Sequence, residues 1–211
     1  MNPRAYKLGR RVDSVEETRR RIVIATIEMH DEKGIADTTF RDIAERADVS
    51  LATVYRHFPT YDTIVEACGE LSRSMLSPLD PTAFAEVSDL RTRLRILADS
   101  IGKRLELLGD WEWIRNDARK IVPIRRFIAE FHDETYAFAH AALGEHGDDE
   151  TVAVVVALLD AAVYRLLREG GQLPAEVLTD VVGTWLEHRH LVRLLATPSQ
   201  QQFPKTNKGE N

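Results

Sequence analysis

The stretch Thr38–Phe58, TTFRDIAERADVSLATVYRHF, constrains this chain more than any other. It reads as two short helices at an angle, joined by a tight turn. Thr39 is placed to cap the first helix. Phe40, Ile43, Ala44 and Ala47 then fall at i, i+3, i+4 and i+7, one buried face. Asp48, Val49 and Ser50 form the turn, and Asp is among the few residues that tolerate a left-handed backbone there. Ser50 is a natural cap for the second helix, about Ser50 to His57. That helix is too short and too polar to be a core helix, with Val54 its one strong inward residue. Leu51, Ala52, Thr53, Tyr55, Arg56 and His57 offer small side chains, hydroxyls, a cation and an imidazole. Such a set suits a helix lying in the major groove of DNA: small residues permit close approach, and polar ones reach phosphates and base edges.

The residues around this stretch carry a resemblance. A helix ending at Gly34, the Thr39 cap, Ile43-Ala44, Val49-Ser50 and Thr53-Val54-Tyr55-Arg56-His57-Phe58 follow in order, and an apolar helix begins near Ile64. Over about the first third of the chain, this pattern resembles the DNA-binding domain of the tetracycline-repressor (TetR) family. The resemblance implies a contact set of Thr39, Ser50, Leu51, Ala52, Thr53, Tyr55, Arg56, His57 and Tyr61. Two positions depart from the family pattern. Asp48 stands where a Gly is usual, and Tyr61 stands where a phosphate-binding Lys is common, so Tyr61 has a hydroxyl to offer but no charge.

Charge is distributed unevenly. Residues 1–60 hold 11 Lys/Arg and 10 Asp/Glu, leaving 17 basic and 24 acidic residues for the remainder. A near-neutral head on an acidic body does not bind polyanions generically, so the placement of charge must matter more than its amount. Residues 1–14 are polar, with Arg4, Lys7, Arg10 and Arg11 ahead of the first acid, Asp13. Two readings stay open for them: a basic arm on phosphate or in the minor groove, or a disordered terminus.

The rest is helical in pattern, with no convincing strand. The expected architecture is all-α: an arm over 1–14, a helix-turn-helix head over about 15–60, a helical body over about 61–196 and a disordered tail over 197–211. Leu90, Leu94, Leu97, Ile101, Leu105 and Leu108 make an apolar stripe of helical period. A further helix from Pro123 carries Phe127, Phe131 and Phe138. One apolar helix is expected from Asp148 to Glu169, and an amphipathic one from Pro174 to about Leu195. In the family, the last two long helices pair with those of a second copy, which implies a homodimer on a palindromic operator. Burial of the same helices within one chain is the other reading.

The aromatics of the body are ordinary core residues singly. Taken together they suit an apolar cavity between helices, and the resemblance implies a small-molecule effector bound there. Trp113, Phe127 and Phe131 are the candidate lining residues. No cofactor is expected. The histidines show no metal-ligand spacing, and no phosphate-binding glycine loop or nucleophile-elbow serine is present, so the chain does not read as an enzyme. Cys68 is the only cysteine, which suits a reducing cytoplasm, and the longest apolar run, Val152–Leu159, falls far short of the ~20 residues that span a bilayer. The expected function is a repressor released from its operator by a small apolar ligand. The alternative is a DNA binder of the same kind governed by a protein partner or by oligomerisation.

Overall fold

In the computed structural model the backbone is described for residues 3–109 and 111–196, and side chains for 14–109 and 114–189. All regular structure among the described residues is helical. Helix α1 (Pro3–Lys33) is followed by α2 (Phe40–Arg46), α3 (Leu51–His57) and α4 (Tyr61–Met75). A 3-10 turn (Pro81–Phe84) leads to α5 (Leu90–Leu108), α6 (Trp111–Asp117) and α7 (Val122–Leu143). A second 3-10 turn, Gly144–His146, precedes α8 (Asp149–Leu158), α9 (Ala161–Glu169) and α10 (Pro174–Ala196).

The first helix starts earlier than its sequence suggests. An arm was expected up to residue 14, but the backbone is helical from Pro3. Pro3 fits the first helical position, where its missing N–H costs nothing, and the residues after it are mostly good helix formers. The basic side chains of the arm (Arg4, Lys7, Arg10 and Arg11) lie outside the described residues, as does the tail over 197–211. Gly34 ends α1 at a φ of 88°, its N–H bonded to the His30 carbonyl at 2.8 Å.

Two apolar clusters organise the chain. The head cluster is built on Ile22, Ile43, Val54 and Ile64, all fully buried, with Phe58 at their side. Burying each such side chain is worth about 1.5–3 kcal/mol. The cluster does not end at residue 60. Val65, Ala67 and Cys68 of α4 belong to it, and so do Ile121 and Ile124, which reach in from the start of α7. Asp117 adds a polar tie, since its Oδ2 accepts the Ala36 N–H at 2.8 Å. The body cluster packs Leu94, Leu97 and Ile101 of α5 against Leu178, Val182 and Leu186 of α10, with Phe138 and Val152 among the other members.

The expected helix over 148–169 is two helices. Leu159 leaves α8, and the Asp160 carboxylate accepts the Ala162 N–H at 2.9 Å, capping a new helix. A side-chain acceptor at this position competes with continued helical bonding, so an apolar run with good period still breaks.

Candidate nucleic-acid interface

The helix-turn-helix is fixed by caps at each end. The Thr39 side chain accepts the Asp42 N–H, and the Asp42 carboxylate accepts the Thr39 N–H at 2.8 Å, closing a capping box at the start of α2. Lys33 pairs with the same carboxylate at 2.7 Å. The Lys33 ammonium first, and the Thr39 hydroxyl second, hold the Asp42 carboxyl down to about 2. At the other end of α2, the Val49 N–H bonds back to the Ala44 carbonyl (3.0 Å) and the Asp48 N–H to the Glu45 carbonyl (3.2 Å). This Schellman arrangement needs a left-handed residue, and Asp48 supplies it at a φ of 51°. The Arg21 guanidinium donates to the Ala47 carbonyl at 3.0 Å, and Arg46 ties α2 to α1 through Glu28 and Glu32.

Ser50 then caps α3 by accepting the Thr53 N–H at 3.1 Å. Val54, wholly buried, anchors α3 to the head cluster, which leaves Leu51, Ala52, Tyr55 and Arg56 exposed on the opposite face. Tyr55 is 48% exposed, and its ring leans on Phe40 with centroids 4.7 Å apart. The aromatic ring is therefore presented outward on a fixed support. Thr53 is half-buried, its hydroxyl 2.8 Å from that of Ser50. Thr39 is exposed at the head of α2.

Two of the expected contact residues have a polar atom turned away from solvent. Tyr61 was expected to meet phosphate, but its hydroxyl turns inward, donating to the Ile35 carbonyl at 2.5 Å with His30 Nε2 3.0 Å away. Burial raises the Tyr61 pKa and lowers that of His30 to about 4, so the ring stays neutral and its Nε2–H is free to donate to the phenol oxygen. The hydroxyl is thus committed to the head's interior. His57 was expected to meet DNA, but its Nε2 is buried and finds no partner among the described residues. Burial lowers its pKa, and the Arg56 and Arg19 charges add to that. The ring packs beside Phe58, over which Arg19 also lies. Sequence reasoning missed Arg20 and Arg41, exposed cations of the head with no ion pair among the described residues. A signal existed for Arg41: a cation in the first turn of a helix opposes the helix dipole and needs another reason to be there.

A cavity of about 440 Å³ lies where head meets body, between α1, α4, the end of α5 and α7. Of the three expected ligand residues, Phe127 lines it. Phe131 does not; it packs on the body cluster, with the Arg104 guanidinium 5.0 Å from its ring centre. The side chain of Trp113 lies outside the described residues. A second cavity of about 490 Å³ lies between the end of α5, α6 and α9, lined by Arg115, Arg119, Arg165 and Arg168 among others.

Residues 22–68 match the family described as bacterial regulatory proteins, tetR family. Over 182 residues the chain is 25% identical to the HTH-type transcriptional repressor KstR of Mycobacterium tuberculosis, covering 83% of this chain and 71% of that protein. Among solved structures it is similar to the multidrug binding protein EbrR complexed with imidazole: 27% identity, TM-score 0.56, with 81% of this chain and 89% of that one covered. A transcriptional regulator from Pseudomonas aeruginosa PAO1 shares the fold at a TM-score of 0.64 and 17% identity, over 83% and 91% of the two chains. Among the described residues, no helix is long and apolar enough to cross a membrane.

Proposed function

We propose that this chain is a TetR-family transcriptional regulator, a cytoplasmic repressor that binds a palindromic operator as a homodimer and is released by a small, largely apolar molecule. The observation that carries the DNA-reading part is the geometry of α3. Its buried face is pinned by Val54, and Leu51, Ala52, Tyr55 and Arg56 are presented together on the other side. Tyr55 is the specificity residue of this set, because it is large, exposed and propped by Phe40. Thr39, Ser50, Thr53, Arg20 and Arg41 are assigned to the phosphates, which position the helix without reading sequence. Tyr61, whose hydroxyl faces inward, and His57, whose Nε2 is covered, are left out of the contact set.

Pairing follows from the shortness of the reader. A single seven-residue helix spans few base pairs, and two-fold pairing makes a longer palindromic site readable. Release by a small molecule is supported by the cavity at the joint and by the relative EbrR, described as multidrug binding and solved with imidazole and with ethidium. Such a ligand must bind the DNA-incompetent arrangement more tightly than the competent one; equal affinity shifts nothing.

The experiment begins with selection of an operator from a random duplex library, followed by titration of that operator. Tyr55→Ala is expected to cost about 1–3 kcal/mol of specific binding and to relax discrimination at one position of each half-site. A folded Tyr55→Ala protein with unchanged operator affinity overturns the assignment.

A further inference from the structure

We propose that the cavity between head and body is the effector site and that it selects an amphipathic cation, an apolar body carrying one positive charge. This rests on the reading above that the regulator answers to a small molecule. At about 440 Å³ the cavity falls within the range that encloses drug-sized ligands. Its apolar wall comes from Ile35 and Val65 of the head and from Ile124 and Phe127 of α7.

The charges around that wall do not balance. Four carboxylates (Asp31, Glu66, Glu70 and Glu130) line the cavity, against two guanidiniums, Arg73 and Arg126. Arg73 is paired with Glu130, and Arg126 with Glu66 at 3.6 Å. Asp31 of α1 and Glu70 of α4 remain without an ion pair or hydrogen bond among the described residues. Both residues are exposed, and partial burial holds the Asp31 carboxyl above its ordinary value. Phe127 adds a ring already used this way, with the Arg73 guanidinium 5.4 Å from its centre. A ligand with an ammonium or phosphonium centre fills the apolar space and answers the spare carboxylates. A neutral ligand gains nothing from them, and an anion is repelled. Asp31 and Glu70 stand on head helices, whereas Ile124 and Phe127 stand on α7. The ligand therefore touches both sides of the joint and is sensitive to their relative position.

The probes are tetraphenylphosphonium and tetraphenylborate, ions of one shape and opposite charge, titrated calorimetrically into the full chain. The phosphonium is expected to bind at least about tenfold more tightly than the borate. The double variant Asp31→Asn, Glu70→Gln, isosteric at both positions, is expected to weaken phosphonium binding by about tenfold and to narrow the gap between the two ions. Equal binding of the ions, a preference for the borate, or phosphonium affinity indifferent to the double variant overturns the site. Operator binding, followed by the anisotropy of a labelled duplex, separates this proposal from the function it rests on. Charge-selective phosphonium binding with no change in operator affinity supports the site but overturns small-molecule release through it. Release by a neutral or anionic compound, with no phosphonium binding, keeps small-molecule control and overturns the cationic site.

Discussion

His30 is a buried imidazole held neutral between the Tyr61 phenol and the wall of the joint. Burial lowers its pKa from 6.5 to about 4, and the nearby Asp117 carboxylate opposes that only in part. Between those two values the unfolded chain takes up a proton that the folded chain refuses. Stability is therefore complete above about pH 6.5 and falls as the pH drops toward about 4, by up to roughly 3 kcal/mol. Urea midpoints at about pH 7 and about pH 5 measure this. His30→Gln, which keeps a donor toward Tyr61, is expected to remove most of that slope, and an unchanged slope would assign it to another group. The Asp42 carboxyl does not confuse the result, because its folded value near 2 places its own loss of stability below about pH 4. At this scale, residues whose partners are near in sequence were legible. Thr39, Asp48 and Ser50 do what their local spacing implies, because caps and turns are closed within a few residues. The inward turn of Tyr61 was not legible, because its partners His30 and Ile35 stand 31 and 26 residues away and only tertiary folding brings them together.

Among the elements, α4 is the link from the DNA reader to the body, and Gly69 lies within it. Glycine inside a helix costs roughly 0.5–1 kcal/mol relative to alanine, and a Cβ placed here meets Phe127 Cδ2 at 3.5 Å, an ordinary contact. Gly69→Ala is therefore expected to raise stability by about that amount in urea unfolding. A loss of stability would mean that α4 and α7 approach more closely at this point in some populated state. Helices with a clear apolar stripe, such as α5, were readable from period alone. The break between α8 and α9 was missed because the apolar period runs straight through it, while the residue that decides, Asp160, is one polar side chain in a long apolar stretch. The cavity at the joint was not legible for a different reason. Aromatic content pointed to the middle of the body, but the cavity draws its walls from α1, α4, α5 and α7 together, and no single stretch of sequence contains that set.

The whole molecule leaves apolar side chains uncovered on its late helices. Leu166 of α9 is 66% exposed and Val181 of α10 is 52% exposed, while Leu178, Val182 and Leu186 of α10 are already buried against α5. A second copy on this outer face is the expected cover. Sedimentation of the full chain should give about twice its 23.9 kDa, and Val181→Glu should shift it toward the single-chain mass by raising the dissociation constant about tenfold or more. A single-chain mass for the unaltered protein at micromolar concentration excludes the dimer. The apolar joint described above has another consequence, for cutting and pasting. Because Ile121 and Ile124 complete the packing around Ile22, Val54 and Ile64, the DNA reader is not a detachable cartridge. A hybrid regulator spliced after α3, or even after α4, would inherit a reader with a missing wall. Grafting this specificity onto another body requires the segment 114–128 to travel with it, so swaps in this protein are three-part exchanges, with the middle of the chain left behind and a later piece carried along.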